Sequence, residues 1–455
     1  MTDKLLTVLK IGVVVLIVIA IGMGGWFVYA RFFRGSGDDG NGTDEDTIQI
    51  TWWVLWEEAE NLQVLADAYE AQNPNVDIVI ESQEVESQYR QKLLGFISDD
   101  IAGNGPDIAR IHNTWLPLFE DYLSPLPSSV MDESTYSSTF YDTALLDFKG
   151  KDGNIYAIPM MFDSIGVYYN KTLLESAGYT VPEENWDDFL SQAQDLTTYD
   201  EEENIQIAGA GIGTANNIDF AFDLASLLML QEGATLANSS GKTTFSTDSE
   251  MLAAKALKFY TDFSVRHSVW DRTLPRDITM FAEGRLAMMF APSWRVFDIE
   301  AAIETAGATL DYDIAPVPQQ PTVTGDEVTW ANYWAEAVSS ESAHPDLAWD
   351  FIKFISEAEQ LRTLYAKSSE SRAFGEIYSR RDLADEIISD KYVGAYVKMA
   401  DTSKSWRMVD YDKVSDEFED LIEDIVISGG MSKEAIHTKL EDTAIVIDQI
   451  LNTGN

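Results

Sequence analysis

The sequence contains no cysteine, and its four histidines lie far apart. The absence of cysteine excludes disulfides, zinc–thiolate sites, iron–sulfur clusters, thiol nucleophiles and a lipid attached to an N-terminal cysteine. The Gly-x-Ser-x-Gly, His-Glu-x-x-His and P-loop motifs are also missing. The sequence therefore does not favour the common hydrolases, metalloproteases or nucleotide-driven enzymes. We expect no catalytic residue, no bound metal and no cofactor.

Basic residues are scarce as well, with 31 lysines and arginines against 77 aspartates and glutamates, which gives a formal net charge of -46. The acidic residues are spread along the whole chain, which indicates a strongly solvated surface rather than an acidic tail. Such a surface repels nucleic acids and anionic membranes. With 455 residues, of which 45% are hydrophobic, the chain can bury two cores, since single cores stop growing near roughly 250–300 residues.

A long apolar run stands at the N-terminus, where residues 11–30 contain no charged side chain. Its length matches the roughly 20 residues that a helix needs to cross the hydrocarbon core of a membrane. It exceeds the apolar core of a cleaved signal peptide, about 7–15 residues, and no small-residue cleavage site follows it. We therefore interpret residues 1–34 as an uncleaved transmembrane anchor, with a removed signal peptide as the alternative. Residues 35–46, rich in glycine and aspartate, are predicted to form a flexible linker.

After the linker, the hydrophobic pattern alternates between strands and helices. Residues 48–54 form a β-branched and aromatic run that is typical of a buried strand, and residues 76–80 and 107–112 predict two more strands. Apolar residues at helical spacing predict helices near residues 62–69 and 87–102 between them. This β-α-β-α-β order predicts a parallel sheet with helices on both faces.

The most informative stretch covers residues 281–294. Gly284 suits a helix C-terminus, residues 286–290 form the continuous apolar run expected of a buried strand, and Pro292 ends that run. Trp294 is therefore expected at the carboxyl end of a strand, which is the edge of an α/β sheet where ligands bind. An indole there offers a flat face for stacking against a sugar ring. Burial of this indole in the core is the alternative.

The same stretch resembles the F-x-x-G-x-x-A-M…G-x-W signature of the family 1 extracellular solute-binding proteins, the maltose-binding-protein-like receptors of ABC importers for sugars and polyols. Further motifs of that family match in order along the chain, and their order and spacing together argue against coincidence. They are F/Y-x-x-x-N-P-x-V-x-I at residues 69–80, Y-x-x-K-L at 89–93, G-x-G-P-D-I at 103–108, Y-A-I-P at 156–159, Y-D-x-A-P-x-P at 312–318 and a motif like H-P-E-x-A-W-x-F-x-K-F at 344–354.

The resemblance implies an α/β, two-lobed periplasmic-binding-protein type II fold, in which each lobe is a mostly parallel sheet flanked by helices. The predicted transmembrane helix would precede this fold. The resemblance also implies that the lobes close on a ligand and that the chain crosses between them more than once. We place the crossings near residues 159–166, 310–316 and 361–371. This division assigns residues 47–163 and 315–362 to the N-lobe, and residues 164–314 and 363–455 to the C-lobe.

Ligand contacts are expected from loops at the strand ends and from the crossings, since these places face the cleft. The candidates are Trp56, Glu57 and Glu84 after the first two strands, Asn113 and Trp115 after the third, Asp163 at the first crossing, and Trp294, Asn332, Trp334, Arg372 and Trp406 farther along. Of these, Asp163, Arg372 and Trp406 rest on the resemblance. Asn332 and Trp334 stand where the family usually has a Gly-Gly turn, so which of the two reaches the cleft is open. For each aromatic residue, core packing is the alternative.

Aromatic plates beside carboxylates and amides suit a neutral, polyhydroxylated ligand, because the rings stack while the hydroxyls donate to the acceptors. We therefore predict a binding protein, not an enzyme. It would deliver a mono- or oligosaccharide or a polyol to ABC permease subunits, as a monomer held on the extracytoplasmic face of the cell membrane, and it would bind no nucleic acid. Polyamines and amino acids are alternative ligands. A membrane-anchored sensor and, less favoured, a glycosidase with paired carboxylates are alternative functions.

Overall fold

The computed structural model describes residues 47–97, 105–238, 241–320, 326–408 and 410–452. The transmembrane anchor predicted within residues 1–34 and the linker predicted at residues 35–46 lie outside the described residues. Within the described ranges, no helix combines the length and the apolar character that crossing a membrane requires.

The strands of the described part of the chain form two main sheets and one small sheet. In chain order they are β1 (Ile48–Leu55), β2 (Val76–Gln83), β3 (Ile108–His112), β4 (Leu123–Ser124), β5 (Ile158–Pro159), β6 (Gly166–Asn170), β7 (Thr198–Tyr199), β8 (Ile205–Ala210), β9 (Leu286–Ala291), β10 (Tyr312–Ala315), β11 (Thr329–Trp330), β12 (Trp334–Ser339) and β13 (Ser403–Lys404).

Helices cover the faces of the two main sheets. In chain order they are α1 (Ala59–Glu70), α2 (Glu86–Ile97), α3 (Leu116–Phe119), α4 (Glu133–Thr139), α5 (Asp142–Phe148), α6 (Lys171–Ser176), α7 (Trp186–Leu196), α8 (Ala221–Gln231), α9 (Leu252–Val265), α10 (Asp277–Ala282), α11 (Arg295–Ala306), α12 (Pro345–Ile355), α13 (Ala358–Ser368), α14 (Ala384–Ile387), α15 (Gly394–Met399), α16 (Tyr411–Ile427) and α17 (Lys433–Asn452). Short 3-10 turns lie at Glu120–Tyr122, Arg381–Leu383 and Ala400–Thr402.

The N-lobe is built on the sheet with strand order β2-β1-β3-β12-β4, in which β5 also pairs with β12. Strand β1 runs parallel to both β2 and β3, and α1 and α2 connect these three strands, so the predicted β-α-β-α-β unit is confirmed. Strand β1 has helices on both faces, and its adjacent residues Trp52 and Trp53 are both buried although they point to opposite sides.

The C-lobe is built on the sheet with strand order β10-β6-β9-β8-β7. Within it, β8 and β9 run parallel, whereas β6 pairs antiparallel with β9 and with β10, and β7 pairs antiparallel with β8. The expectation of a mostly parallel sheet is therefore wrong for this lobe. The physical reason is the chain path, because β6 follows a crossing and begins at the edge where β8 and β9 end.

The stretch around the informative motif folds as predicted. Helix α10 ends at Ala282, and Gly284 adopts φ 72°, a left-handed conformation that costs a glycine little. All six residues of β9 are buried, and Pro292 follows the strand directly. Trp294 is thereby held at the carboxyl end of a fully buried strand.

Two segments of the chain pass side by side between the main sheets. One joins β5 to β6 and the other joins β10 to β12. The hydroxyl of Ser164 in the first segment donates to the carbonyl of Trp330 in the second, and the backbone N–H of Asn332 donates to the carbonyl of Asp163 at 3.0 Å. These bonds fix the two segments to each other at the junction of the lobes.

Candidate binding cleft

Two tryptophans stand exposed at strand ends, one on each lobe. Trp56 follows β1 directly and is 54% exposed, and Trp294 lies three residues after β9 and is 45% exposed. Large aromatic side chains are normally mostly buried. An exposed indole at the carboxyl end of a strand is therefore a candidate ligand contact.

The indole of Trp56 is held by a bent backbone and by other rings. Its φ of 59° is unusual for a residue with a side chain, and its Nε1–H donates to the carbonyl of Glu84 at 2.8 Å. Its ring meets the edge of Trp334 at 5.2 Å between centroids, and Trp334 in turn packs against Trp115 at 5.2 Å and His112 at 4.9 Å. The N-lobe wall of the cleft is therefore a cluster of rings in which Trp334 meets its neighbours edge to face.

Beside Trp56, a buried carboxyl group meets an arginine. Oε2 of Glu57 lies 3.8 Å from Nη2 of Arg372, and Arg372 also pairs with Glu376. Burial, together with the nearby charge of Glu376, raises the pKa of Glu57 to about 7, although Arg372 opposes that rise. The guanidinium of Arg372 lies 5.9 Å from the ring centroid of Phe297 in the C-lobe, so Arg372 contacts both walls of the cleft.

The loop that carries Trp294 is fastened to the first crossing by Asp163. Ser293 donates to Oδ2 of Asp163 through its hydroxyl at 2.8 Å and through its backbone N–H at 3.2 Å, and the backbone N–H of Ser164 donates to Oδ1 at 2.8 Å. Burial raises the pKa of Asp163 to about 7, while these hydrogen bonds oppose the rise. Asp163 therefore positions the C-lobe wall at the lobe junction.

The C-lobe wall combines two rings with ion pairs. Trp294 meets Phe220 edge to face, with 5.7 Å between centroids, and the guanidinium carbon of Arg295 lies 5.8 Å from the Trp294 ring and 5.7 Å from the Phe220 ring. Arg295 and Arg276 both form ion pairs with Asp219. Paired charges therefore set the position of the cation that lies against the indole.

At the lobe junction, Asn332 joins the two sides. Its Oδ1 lies 3.0 Å from Nε2 of His112, whose pKa burial lowers to about 4, so the imidazole is neutral at pH 7. Nearby, Asp223 of the C-lobe accepts the indole N–H of Trp330 at 2.7 Å, and burial raises its pKa to about 6. An unbroken series of contacts thus leads from Trp56 to the loop that carries Trp294. It passes through Trp334, His112, Asn332, Asp163 and Ser293.

Most of the residues predicted from the sequence meet around this cleft, and three lie in the interior. Around the cleft the structure places Trp56, Glu57, Glu84, Asp163, Trp294, Asn332, Trp334 and Arg372. Asn113 is buried and donates to Asp147 at 3.1 Å, and Trp115 is fully buried beneath Trp334. Trp406 is buried among the rings of Phe222, Phe245 and Phe418.

Sequence reasoning missed the supporting residues Asp219, Phe220, Arg295 and Glu376. Arg295 directly follows Trp294 and carries a charge that suits a cleft, so that adjacency was a usable signal. Asp219 and Phe220 lie in a loop before α8 without any motif, so no signal pointed to them. In the described part of the chain, no group of three or more histidine or acidic side chains is arranged to hold a metal ion.

Comparisons with known proteins agree with this architecture. The family model of the bacterial extracellular solute-binding proteins matches residues 56–361, more than half of the chain. A putative binding protein of Brucella abortus is 24% identical over 391 residues, which cover 84% of this chain and 88% of that protein. The galactooligosaccharide-binding protein of Bacillus subtilis is 21% identical over 330 residues, which cover 70% and 71%. The sugar-binding protein MalE of Xanthomonas citri has a similar fold, with a TM-score of 0.70 at 20% identity over 89% of this chain and 98% of that chain. The protein therefore belongs to the family of bacterial extracellular solute-binding proteins.

Proposed function

We propose that the protein is an extracytoplasmic receptor that binds a saccharide or polyol between its lobes and delivers it to an ABC importer. The observation that carries this proposal is the pair of exposed indoles, Trp56 on one wall and Trp294 on the other. Indole faces stack on the C–H bonds of a sugar ring, and carboxylates accept hydrogen bonds from its hydroxyls. The relatives named for galactooligosaccharide and sugar binding support a carbohydrate ligand.

In this proposal, Trp56 and Trp294 stack on the ligand, and the polar groups between them bind its hydroxyls. Nε of Arg372 is a buried donor without an acceptor among the described residues, so a ligand hydroxyl can satisfy it. Asn332, Trp334, Glu57, Glu84 and Asp163 complete the cleft. Asn113, Trp115 and Trp406 support the walls from the interior, which is consistent with their burial.

The ligand acts by stabilising a closed arrangement of the lobes, since only that arrangement lets both walls contact it. We propose lobe boundaries at residues 47–163 and 315–362 for the N-lobe, and residues 164–314 and 363–455 for the C-lobe. The placement of β5 in one sheet and β6 in the other supports the first crossing. Because β10 (Tyr312–Ala315) lies in the sheet with β6 and β12 in the sheet with β5, the second change of sheet falls after residue 315 rather than within residues 310–316. The closed receptor then docks on the permease, which couples transport to ATP.

The proposed location follows from the sequence of the N-terminus. Residues 11–30 are long and apolar enough for a membrane helix, and the description of the family supports an extracytoplasmic binding domain. We propose a monomer that a single N-terminal helix anchors to the cell membrane. The absence of cysteine supports an anchor made of peptide rather than lipid.

The protein is proposed to bind its ligand without transforming it. The relatives that carry a function in their names are named as binding proteins. Glu57 and Asp163 have pKa values raised to about 7, a range that also suits general acids. However, Glu57 lies beside Arg372, and Asp163 accepts hydrogen bonds from Ser293 and Ser164. These contacts favour positioning and ligand-binding roles for both carboxyl groups over a catalytic one.

A ligand screen on the full chain tests the proposal. The thermal midpoint is measured with galactooligosaccharides, maltotriose, monosaccharides, polyols, amino acids and polyamines, since a ligand that binds only the native state raises it. We expect one saccharide or polyol class to raise the midpoint, and the sugar to be recovered unchanged. The rise at a fixed ligand concentration should shrink clearly in Trp294→Ala and persist in Tyr199→Ala, a control that removes an exposed ring from β7. A rise only with polyamines or amino acids would overturn the ligand class, and consumption of the sugar would overturn the binding role.

A further inference from the structure

A second large cavity lies apart from the two cleft walls. Its volume is about 1010 Å³, and it is lined by the end of α5 with the loop after it, by the end of α8 with the loop after it, and by the segment from β13 to Arg407. Trp56, Trp294 and Arg372 do not line it. Helix α5 contacts β5 of the N-lobe, whereas α8 contacts α9 of the C-lobe, so the cavity is bounded by both lobes.

The side chains around this cavity carry an excess of positive charge. Lys149, Lys151, Lys404 and Arg407 line it, whereas Asp147 is the acidic residue of the lining. Asp147 is buried and accepts hydrogen bonds from the Tyr333 hydroxyl at 2.7 Å and from the Ser405 and Asn113 side chains, and its burial raises its pKa. The lining therefore presents four cations in a chain whose net charge is -46.

Arg407 differs from the other arginines of the described residues. Eleven of the twelve arginines in those ranges have a carboxylate oxygen within 4.0 Å, and Arg407 has none. Its guanidinium instead donates to the backbone carbonyl of Leu146 at 2.6 Å and to that of Lys149. These carbonyls fix the position of the guanidinium, and its charge lowers the pKa of Asp147, against the larger effect of burial, without an ion pair between the two groups.

Two of the lysines add to this positive charge. Neither Lys151 nor Lys404 forms an ion pair with a carboxylate of the described residues, and both are exposed, whereas Lys149 pairs with Glu133 at 2.8 Å. Lys404 adjoins Arg407 in the same segment, and Lys151 lies in the loop after α5. The negative surface elsewhere opposes an anion weakly, because salt screens charges beyond about 8 Å. Glu120 also lies against the lining, where it accepts from the backbone N–H of Lys151 at 2.6 Å, so the preference for an anion depends on the greater number of cations among the lining side chains.

The cavity also offers apolar surface. Leu146 is 67% exposed, the highest value among the large hydrophobic side chains of the described residues, and Leu230 and Leu236 line the cavity with it. Both hydrogens of Arg407 Nη2 go to the carbonyls of Leu146 and Lys149, so a carboxylate or phosphate would accept from its Nη1 or Nε, and lysines from a second segment favour a second negative group. We propose that this cavity binds an organic anion that carries at least two carboxylate or phosphate groups.

Isothermal titration of the full chain with citrate and with fructose 1,6-bisphosphate, at constant ionic strength, tests this site. The wild-type protein should bind at least one of the two probes. Arg407→Gln should weaken that binding about tenfold or more, as expected when a charge-assisted pair is lost. Because Arg407 also holds two carbonyls, Lys404→Gln and Lys151→Gln serve as second variants. Both residues are exposed, and each change should weaken binding several-fold without loss of thermal stability.

The controls separate this site from general ionic effects and from the cleft. Lys398→Gln removes another exposed lysine that has no carboxylate partner in the described residues and does not line the cavity, so binding should not change. Trp294→Ala should also leave binding unchanged. Binding of citrate alone would identify a carboxylate ligand, and binding of the bisphosphate alone a phosphate ligand. No binding of either probe, or equal weakening by Lys398→Gln, would overturn the proposal.

Discussion

The two walls of the cleft present the same side chain on different supports. On the N-lobe, Trp56 rests on Trp334 and the rings behind it. On the C-lobe, Trp294 rests on Phe220 and lies against Arg295, which ion pairs hold in place. Packed rings are part of a hydrophobic core, whereas the desolvation cost of an ion pair offsets much of its attraction. Replacements on the N-lobe wall should therefore cost folding stability, and replacements on the C-lobe wall should mainly cost binding.

The largest expected effect is the loss of stability in Trp334→Ala. This ring connects Trp56, Trp115 and His112, so its removal opens a cavity in the N-lobe wall. We expect the free energy of unfolding to fall by about 3–5 kcal/mol. Denaturant unfolding measures it, with Trp334→Phe as the milder control. A similar loss in Trp294→Ala would break the distinction between the two walls.

The second-largest expected effect is an increase in the free energy of unfolding as the pH falls. The folded-state pKa is raised to about 7 for Glu57 and Asp163 and to about 6 for Asp223, above their ordinary values of 4.5, 3.8 and 3.8. Their contribution is complete below those ordinary values and is lost as the pH rises through about 6 to 7. Glu86 and Asp277, whose pKa values burial raises to about 7, act in the same direction. His112 acts in the opposite sense, since its lowered pKa favours the fold above pH 6.5, but it is one group against five.

The thermal midpoint should therefore fall by several degrees between about pH 5 and about pH 8. Glu57→Gln should flatten this dependence, because a neutral amide replaces a carboxyl group that burial holds protonated. Trp294→Phe on the C-lobe wall provides the comparison and should leave the slope nearly unchanged, because it removes no titratable group. A midpoint that rises steadily with pH, or an equal slope in Glu57→Gln, would contradict the assigned burial effect.

The third effect is a loss of ligand affinity in Trp294→Ala, with a smaller change in free energy than the stability loss expected for Trp334→Ala. Loss of one stacking face should weaken saccharide affinity about 10- to 100-fold, which corresponds to roughly 1.4–2.8 kcal/mol. The free energy of unfolding without ligand should stay within about 0.5 kcal/mol of the wild-type value, because the ring is partly exposed. Titration with the saccharide found in the screen measures the affinity, and Trp294→Phe should be intermediate. A stability loss without a change in affinity would place this residue in the core.

The smallest effect is expected for Asp219→Asn. The change removes the shared partner of Arg276 and Arg295, but Arg295 keeps Asp298 at 2.8 Å. We expect a loss of about 1 kcal/mol in stability and a few-fold loss in affinity, because the cation against Trp294 becomes less ordered. Both losses should shrink at high salt. Losses that do not respond to salt would show that packing rather than charge supports the C-lobe wall.

Local patterns predicted the elements well where strands follow each other in sequence. The spacing of apolar residues gave β1, β2 and β3 with the helices between them, and the run after Gly284 gave β9. Strand direction in the C-lobe was predicted wrongly. The direction of β6 depends on where the chain enters the lobe, and hydrophobic periodicity carries no information about entry points.

The sequence alone determined the family, the succession of strands and helices, and the position of Trp294 after a buried strand. These properties depend on residues that are near each other in the chain, where the hydrophobic period and turn residues act directly. The tertiary structure decided which aromatic residues are exposed, since Trp56 stands in the cleft whereas Trp115 and Trp406 are buried. It also decided that Asp163 holds Ser293, 130 residues away. Such contacts form only when the crossings bring distant segments together, and no local pattern encodes that meeting.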